Sequence, residues 1–150
     1  MRTAALAISA ALVLVPATAL PAQAATPVTF TKWVADPAGA DRSTNTAYNS
    51  EYIVIKNVSS KAVNMTGWTV KDKGNLHTFT FPRNFTLKRG AVVTLHSGRG
   101  TNTASHVYFN SKRNGYVWNN TGDVATLRKG TAIMKVCTYK QGERGGTKYC

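Results

Sequence analysis

The apolar and polar positions of this chain alternate in short runs, and turn residues separate the runs. "VTFTKW" sets Val28, Phe30 and Lys32 against Thr29, Thr31 and Trp33. "LHTFTFP" sets His77, Phe79 and Phe81 against Thr78 and Thr80, and "GWTVKD" puts Trp68 and Val70 on one face. A period of two is the signature of a strand with one buried side. "EYIVIKN" is apolar and β-branched in consecutive positions, which predicts a central strand covered on both sides. "AVVTLH", "HVYF", "DVATLRK" and "AIMKVCTY" complete the set. Between them lie turn-rich stretches such as "DPAGADRSTNTAYNS", "DKGN", "SGRGTNTAS", "NSKRNG" and "WNNTG". No heptad, helical stripe or long repeat is present. Seven to eight strands with frequent turns and no helix predict an all-β, antiparallel β-sandwich. A closed barrel is the alternative.

"YVWNNTGDVATL" is the most distinctive run. Asn and Gly tolerate positive φ, so "NNTG" reads as a turn between extended segments. Asp123 can accept backbone N–H bonds inside that turn. Ala125 and Leu127 share a face, and Trp118 is large enough to cap the core they enter. A cation loop would need several converging carboxylates, and the whole chain has only 6 acidic residues. The run is therefore read as structural.

The N-terminus changes the picture of where the chain works. "MRTAALAISAALVLVPATALPAQA" has an early arginine, an apolar run broken by Pro16 and an Ala-x-Ala site. That is the pattern of a signal peptide cleaved after Ala24, leaving 25–150 as one domain. A retained anchor is the lesser alternative, because the run is short and Ala-rich. The expected product is secreted, extracellular and free of a membrane span. Cys137 and Cys150 are the 2 cysteines, and in an oxidising compartment an even pair implies a disulfide. Closing a loop of about 15 residues this way contributes roughly 3 kcal/mol in the chain-entropy account. Without the bond, "KQGERGGTKYC" reads as a frayed polar tail.

Charge narrows the partners. The formal balance is +13, and a leader cut after Ala24 removes only Arg2. Outside a cell such a balance favours anionic partners: cell-wall polymers, acidic glycans or extracellular nucleic acid. Arg99, Lys112, Arg113, Arg128 and Lys129 stand in or beside loops, with Tyr108, Phe109 and Tyr116 among them. Cations interleaved with aromatics suit phosphates and stacked bases, so these five are the candidate polyanion-binding residues. The charge could equally serve solubility. Trp33, Tyr48 and Tyr139 are the candidates for a flat carbohydrate-binding platform.

Catalytic and metal chemistry find little purchase. His77, His96 and His106 lack a ligand-spaced pair, so no metal or cofactor is expected. Gly-x-Ser-x-Gly is absent, "GRG" lacks the lysine of a phosphate loop, and the carboxylates sit mostly in turns. A small secreted hydrolase is the least favoured reading. Four Asn-x-Ser/Thr sequences, at Asn57, Asn64, Asn84 and Asn119, read as asparagines serving turns.

"NSEYIVIKN", "VNMTGWTVKD", "HTFTFP", "TLKRGAVVTLHSGRGTNT" and "YVWNNTGDVATLRKG", in that order from Glu51 to about Tyr139, resemble the lamin-tail domain in its secreted bacterial versions. The resemblance implies an immunoglobulin-like β-sandwich without a cofactor. It also implies binding or tethering rather than catalysis. It makes Tyr52, Ile53, Ile55, Trp68, Phe79, Trp118, Ala125 and Leu127 structural. Lys135 stands about where such domains often carry Asp in the last strand, which adds positive charge and removes an acid-dependent site. The expected function is a monomeric, non-catalytic binding module for anionic extracellular polymers. A carbohydrate-binding or purely adhesive envelope module is the alternative.

Overall fold

Strands with one apolar side need a second apolar layer, and here two sheets cover each other. The computed structural model describes residues 26–110 and 115–150. The expected leader, Lys112 and Arg113 lie outside the described residues. The elements are β1 (Val28–Val34), α1 (Asn45–Ser50), β2 (Tyr52–Asn57), β3 (Val63–Asn64), β4 (Thr69–Lys71) and β5 (Thr78–Thr80). They continue with β6 (Thr86–Leu87), β7 (Val92–His96), β8 (His106–Tyr108), β9 (Gly122–Lys129), β10 (Ala132–Lys140) and β11 (Thr147–Tyr149). A five-stranded sheet runs β11-β1-β2-β7-β8, a four-stranded sheet runs β10-β9-β4-β5, and β3-β6 form a small ribbon. Pairing is antiparallel except between β7 and β8, which are parallel. This is the immunoglobulin-like sandwich expected from the sequence, with open sheet edges rather than a closed barrel.

The core fills the space between the sheets. Ile53 and Ile55 enter from the five-stranded sheet, and Phe79 and Leu127 enter from the four-stranded one. Trp68 and Trp118 close it from the connecting segments, and all six are buried. Trp118 packs edge-on against Trp33 at 4.8 Å between ring centroids, a favoured geometry for aromatic pairs.

Three local expectations are corrected. In β1 the strict alternation fails. The register steps from Phe30 opposite Ile55 to Lys32 opposite Val54, leaving Thr31 as an extra residue. This bulge turns Trp33 inward with Val28 and Phe30, and Lys32 outward. β2 is central but covered on one side only: Ile53 and Ile55 are buried, Tyr52 and Val54 are half-buried, and Lys56 is exposed. The stretch between β1 and β2, read as loop, contains α1, whose N-cap Thr44 accepts an N–H bond from Ala47 at 3.2 Å. The expected disulfide is present, and it holds the C-terminal segment as a strand. Thr147–Tyr149 pairs with Lys32–Val34, and Cys137 is bonded to Cys150 with Cα atoms 5.8 Å apart. The disulfide thus ties β11, at the edge of one sheet, to β10 of the other. Gly146 precedes β11 at φ 86°, and a Cβ there would overlap the Asp36 carbonyl oxygen.

The turn asparagines work as the sequence implied. Asn57, Asn64 and Asn119 each accept, at 2.9 Å, the backbone N–H of the residue two positions on. That bond closes a local turn through the side chain. Asn84 instead sits at φ 64°.

One buried carboxylate links the sheets and was not singled out in the sequence. Glu51, just before β2, is 0% exposed. Its carboxylate accepts the backbone N–H of Val117 at 2.8 Å and of Trp118 at 3.2 Å. Those bonds hold the segment entering β9 against the start of β2. Burial raises the Glu51 pKa from 4.5 to about 8, and hydrogen bonding with Ser97 and with the Val117 and Trp118 N–H groups pulls it only part of the way back.

Two outcomes follow from this core. Trp118→Ala should destabilise the domain by about 3–5 kcal/mol, read from denaturant midpoints. A loss under about 1 kcal/mol would be the behaviour of a surface site and would contradict its place in the core. Between pH 4.5 and about 8 the unfolded chain has lost the Glu51 proton while the folded chain keeps it. Stability from this group is therefore complete at low pH and falls as pH rises across that window. Glu51→Gln removes the titration, so the variant-minus-wild-type difference in Tm should grow as pH rises through the window. A constant difference would contradict the assignment.

Candidate functional site

Alternation puts one set of side chains on the face of the five-stranded sheet that points away from the core. The register arranges them in rows across the strands. One row is Thr147, Val34, Tyr52, His96 and Tyr108. The next is Tyr149, Lys32, Val54, Thr94 and His106, and a third holds Thr29, Lys56 and Val92. None of these positions is Asp or Glu. The face is cationic and aromatic, and Glu143, which borders Thr147 and Tyr149 at its β11 edge, is paired with Lys148 at 2.7 Å.

Its side chains touch one another. The Lys32 ammonium lies 5.5 Å from the centre of the Tyr52 ring, within cation–π range, and hydrogen bonding with Tyr52 raises its pKa. Tyr52 leans on His96 at 5.9 Å. His96 stacks on Tyr108 at 5.1 Å and 19°. Arg144 covers Tyr149 at 5.5 Å, and Tyr149 is itself 58% exposed. The His96 Nδ1 atom is 2.9 Å from the Asn49 carbonyl. A carbonyl can only accept, so His96 carries its proton on Nδ1. Burial lowers the His96 pKa, as does the neighbouring His106, while the Asn49 carbonyl raises it.

Arg99 borders this face. Asn45 accepts its N–H at 2.7 Å and donates to its carbonyl at 2.9 Å. Asn49 donates to the same carbonyl at 3.0 Å. Asn110 makes the same double contact with Gly100, at 3.0 and 3.2 Å. A Cβ at Gly98 would strike the Asn45 and Asn49 side chains, and one at Gly100 would strike the Tyr108 ring. The "GRG" run therefore needs its glycines for close approach, and the result is a fixed backbone carrying an exposed guanidinium.

The five cations nominated from the sequence are not brought together. Arg99 follows β7, whose last residue His96 pairs with Tyr52 at the start of β2. Through Glu51 that end of the sandwich also holds the entry to β9. Arg128 and Lys129 close β9, at the opposite end and on the other sheet. Arg128 is half-buried and donates to the Thr131 carbonyl at 3.1 Å within its own hairpin; Lys129 is exposed. Lys112 and Arg113 are outside the described residues. Phe109 packs inward on Phe79 and Trp118, and Tyr116 meets Tyr48 edge-on. The carbohydrate platform is corrected outright: Trp33, Tyr48 and Tyr139 are 0%, 8% and 1% exposed.

The "WNNTGD" turn borders a cleft of about 510 Å³, lined by Asp72, His77, Trp118, Asn119 and Asp123 among others. Its carboxylates are committed to the fold. Asp123 accepts the N–H groups of Lys73, Asn119 and Val124 at 2.9, 3.0 and 2.7 Å. Asp72 accepts the His77 N–H at 2.9 Å and meets its Nδ1 at 2.8 Å. The Thr121 hydroxyl donates to Asn119. The cleft is built from turn staples, which answers the reading of this run as structural. His77 lies before β5 rather than on a strand.

Among the described residues no group of three His, Cys, Asp or Glu side chains converges, and no helix is long and apolar enough to cross a membrane. No curated protein matches the chain. The family model described as Lamin Tail Domain matches residues 21–141, the span that carries both sheets up to the end of β10. That family is a non-enzymatic, immunoglobulin-like one, in keeping with carboxylates spent on backbone bonds. By sequence match and by architecture, the chain belongs to the lamin tail domain family.

Proposed function

We propose that the domain is an exported, non-catalytic binding module for anionic polymers, and that it engages them with the outer face of the five-stranded sheet. The observation that carries this reading is the composition of that face: Lys32, Lys56, Tyr52, Tyr149 and two histidines, without a carboxylate. Arg99 and Arg144 stand at its borders. A repeating phosphate or sulfate chain meets cations at several rows, and exposed rings offer stacking surface to bases or sugar faces. The overall balance of +13 adds long-range attraction.

Four engaged cations on duplex DNA should give a slope of log K against log salt of about −3 to −4. The test is a salt titration of binding to DNA, heparin and teichoic polymer. Lys32→Glu with Lys56→Glu should flatten the slope markedly. Lys71→Glu with Lys140→Glu, on the four-stranded sheet, should change it little. Equal effects of the two pairs would remove the site assignment. Failure to bind all three polymers at low salt would overturn the function. Salt-insensitive retention on insoluble glycan would replace it with the carbohydrate reading.

A further inference from the structure

Parallel pairing of β7 with β8 brings His96 and His106 together on the outer face of the five-stranded sheet. His96 Nε2 and His106 Nδ1 are 3.0 Å apart, so the rings meet nitrogen to nitrogen in a hydrogen bond. The proton of that bond belongs to His106. His96 carries its own proton on Nδ1, where it donates to the Asn49 carbonyl, and its Nε2 can only accept. Tyr52 leans on the His96 ring and Tyr108 stacks on it. Thr103 fixes the His106 backbone: its N–H donates to the His106 carbonyl at 2.7 Å, and its hydroxyl accepts the His106 N–H at 3.0 Å.

The His106 ring is exposed, which leaves its Nε2 as the nitrogen able to take a proton from water. A proton added there keeps the bond between the rings and makes it charge-assisted, hence stronger. A second proton, on His96 Nε2, would set two donors against each other and break it. Burial also disfavours charge on His96, and His106 adds to that. The pair therefore holds one positive charge and not two. Its surroundings are cationic or neutral. Lys32 on β1 shares a row with His106, and Lys56 on β2 lies on the same face. Arg99 follows β7, β2 and β8 add Tyr52 and Tyr108, and α1 has no charged side chain. Glu51 is turned into the core, and Glu143, at the β11 edge, is paired with Lys148. Cations repel a further positive charge. A bound anionic polymer offsets that repulsion, so proton uptake and polymer binding favour each other.

We propose that the His96–His106 pair is a proton-linked anion contact: when a chain of phosphate or sulfate esters docks on this face, His106 Nε2 takes one proton from solvent and donates it to an ester oxygen. His96 is the positioning residue, because its Nε2 accepts from His106 and orients the charged ring outward. The assignment rests on the polyanion reading of the face and adds a preference for mildly acidic surroundings. The bound state holds the extra proton, so affinity rises as pH falls through the histidine range, from about 8 to about 5.5.

The test uses chain cut after Ala24 with oligothymidylate and with dextran sulfate, whose ester groups do not titrate in that range. In the free protein, proton–nitrogen correlation spectra of the histidine rings should keep His96 in its neutral Nδ1–H form while His106 becomes charged. For oligothymidylate the slope of log K against log salt should steepen by about 0.7 as pH falls across the range, the effect of one added charge on a single strand. Calorimetry in buffers of different ionisation enthalpy should report uptake approaching one proton. His106→Gln should lose both effects, and His77→Gln, beside Asp72, should keep them. Glu51 titrates in an overlapping window but is present in all three proteins, so the difference isolates the pair. Circular dichroism confirms that the variants are folded. Proton uptake with one polymer alone would support the proposal and name that ester as the ligand. Retained pH dependence in His106→Gln, or His96 charging before His106 in the wild-type spectra, would overturn it. Binding that does not change with pH would overturn it and leave the polyanion reading standing. Failure to bind either polymer at any pH would overturn both.

Discussion

The buried carboxyl group of Glu51 is the polar contact on which one end of the sandwich depends. It sits before β2, in the five-stranded sheet, and accepts N–H groups of Val117 and Trp118, which lead into β9 of the four-stranded sheet. A segment without a strand partner has backbone donors that must be satisfied when buried. Glu51 satisfies two of them and in doing so seats Trp118 against Trp33. The cost is a desolvated acid whose pKa is driven to about 8. The order of the whole end of the sandwich follows. Asp123 staples the next turn to Lys73, and Asp72 holds His77 close by. The acidic residues at this end are structural parts, committed to backbone and histidine contacts.

That division of labour separates two surfaces. The cleft beside the "WNNTGD" turn is concave but lined by groups already engaged in hydrogen bonds. The outer face of the five-stranded sheet is open and carries Lys32, Lys56, Tyr52 and Tyr149, with no Asp or Glu in its three rows. The bulge at Thr31 matters to both. By inserting one residue it sends Trp33 into the core and turns Lys32 out over Tyr52. One local irregularity thus supplies a core aromatic and a surface cation from adjacent positions.

The sandwich was legible because period-two runs and turn residues report directly on half-buried strands. Ile53, Ile55, Phe79 and Leu127 could be placed from alternation and resemblance alone. The interaction face was less legible. Tyr52 and Val54 are apolar enough that β2 reads as covered on both sides, yet their face meets solvent. The same ambiguity put Trp33 and Tyr139 on a surface platform, when a bulge and β10 carry them inside. Loop cations attract attention in a sequence because they cluster in number. Arg99 and Arg128 nonetheless belong to opposite ends of the sandwich, a fact set by strand order. The pairing of His96 with His106 depends on a parallel β7–β8 contact, which no local pattern announces. Glu51 does not stand out among carboxylates read as mostly in turns, since nothing beside it in the chain reveals its partners Val117 and Trp118.

The most direct test of the central claim is amide chemical-shift mapping of the labelled domain during titration with a short heparin oligosaccharide or single-stranded oligonucleotide. The account predicts that the largest salt-sensitive shifts fall on β1, β2 and β7, at Lys32, Tyr52, Val54, Lys56 and His96, with Arg99 at the border. Shifts concentrated at Arg128, Lys129 and the β9–β10 hairpin, with the five-stranded sheet silent, would contradict it.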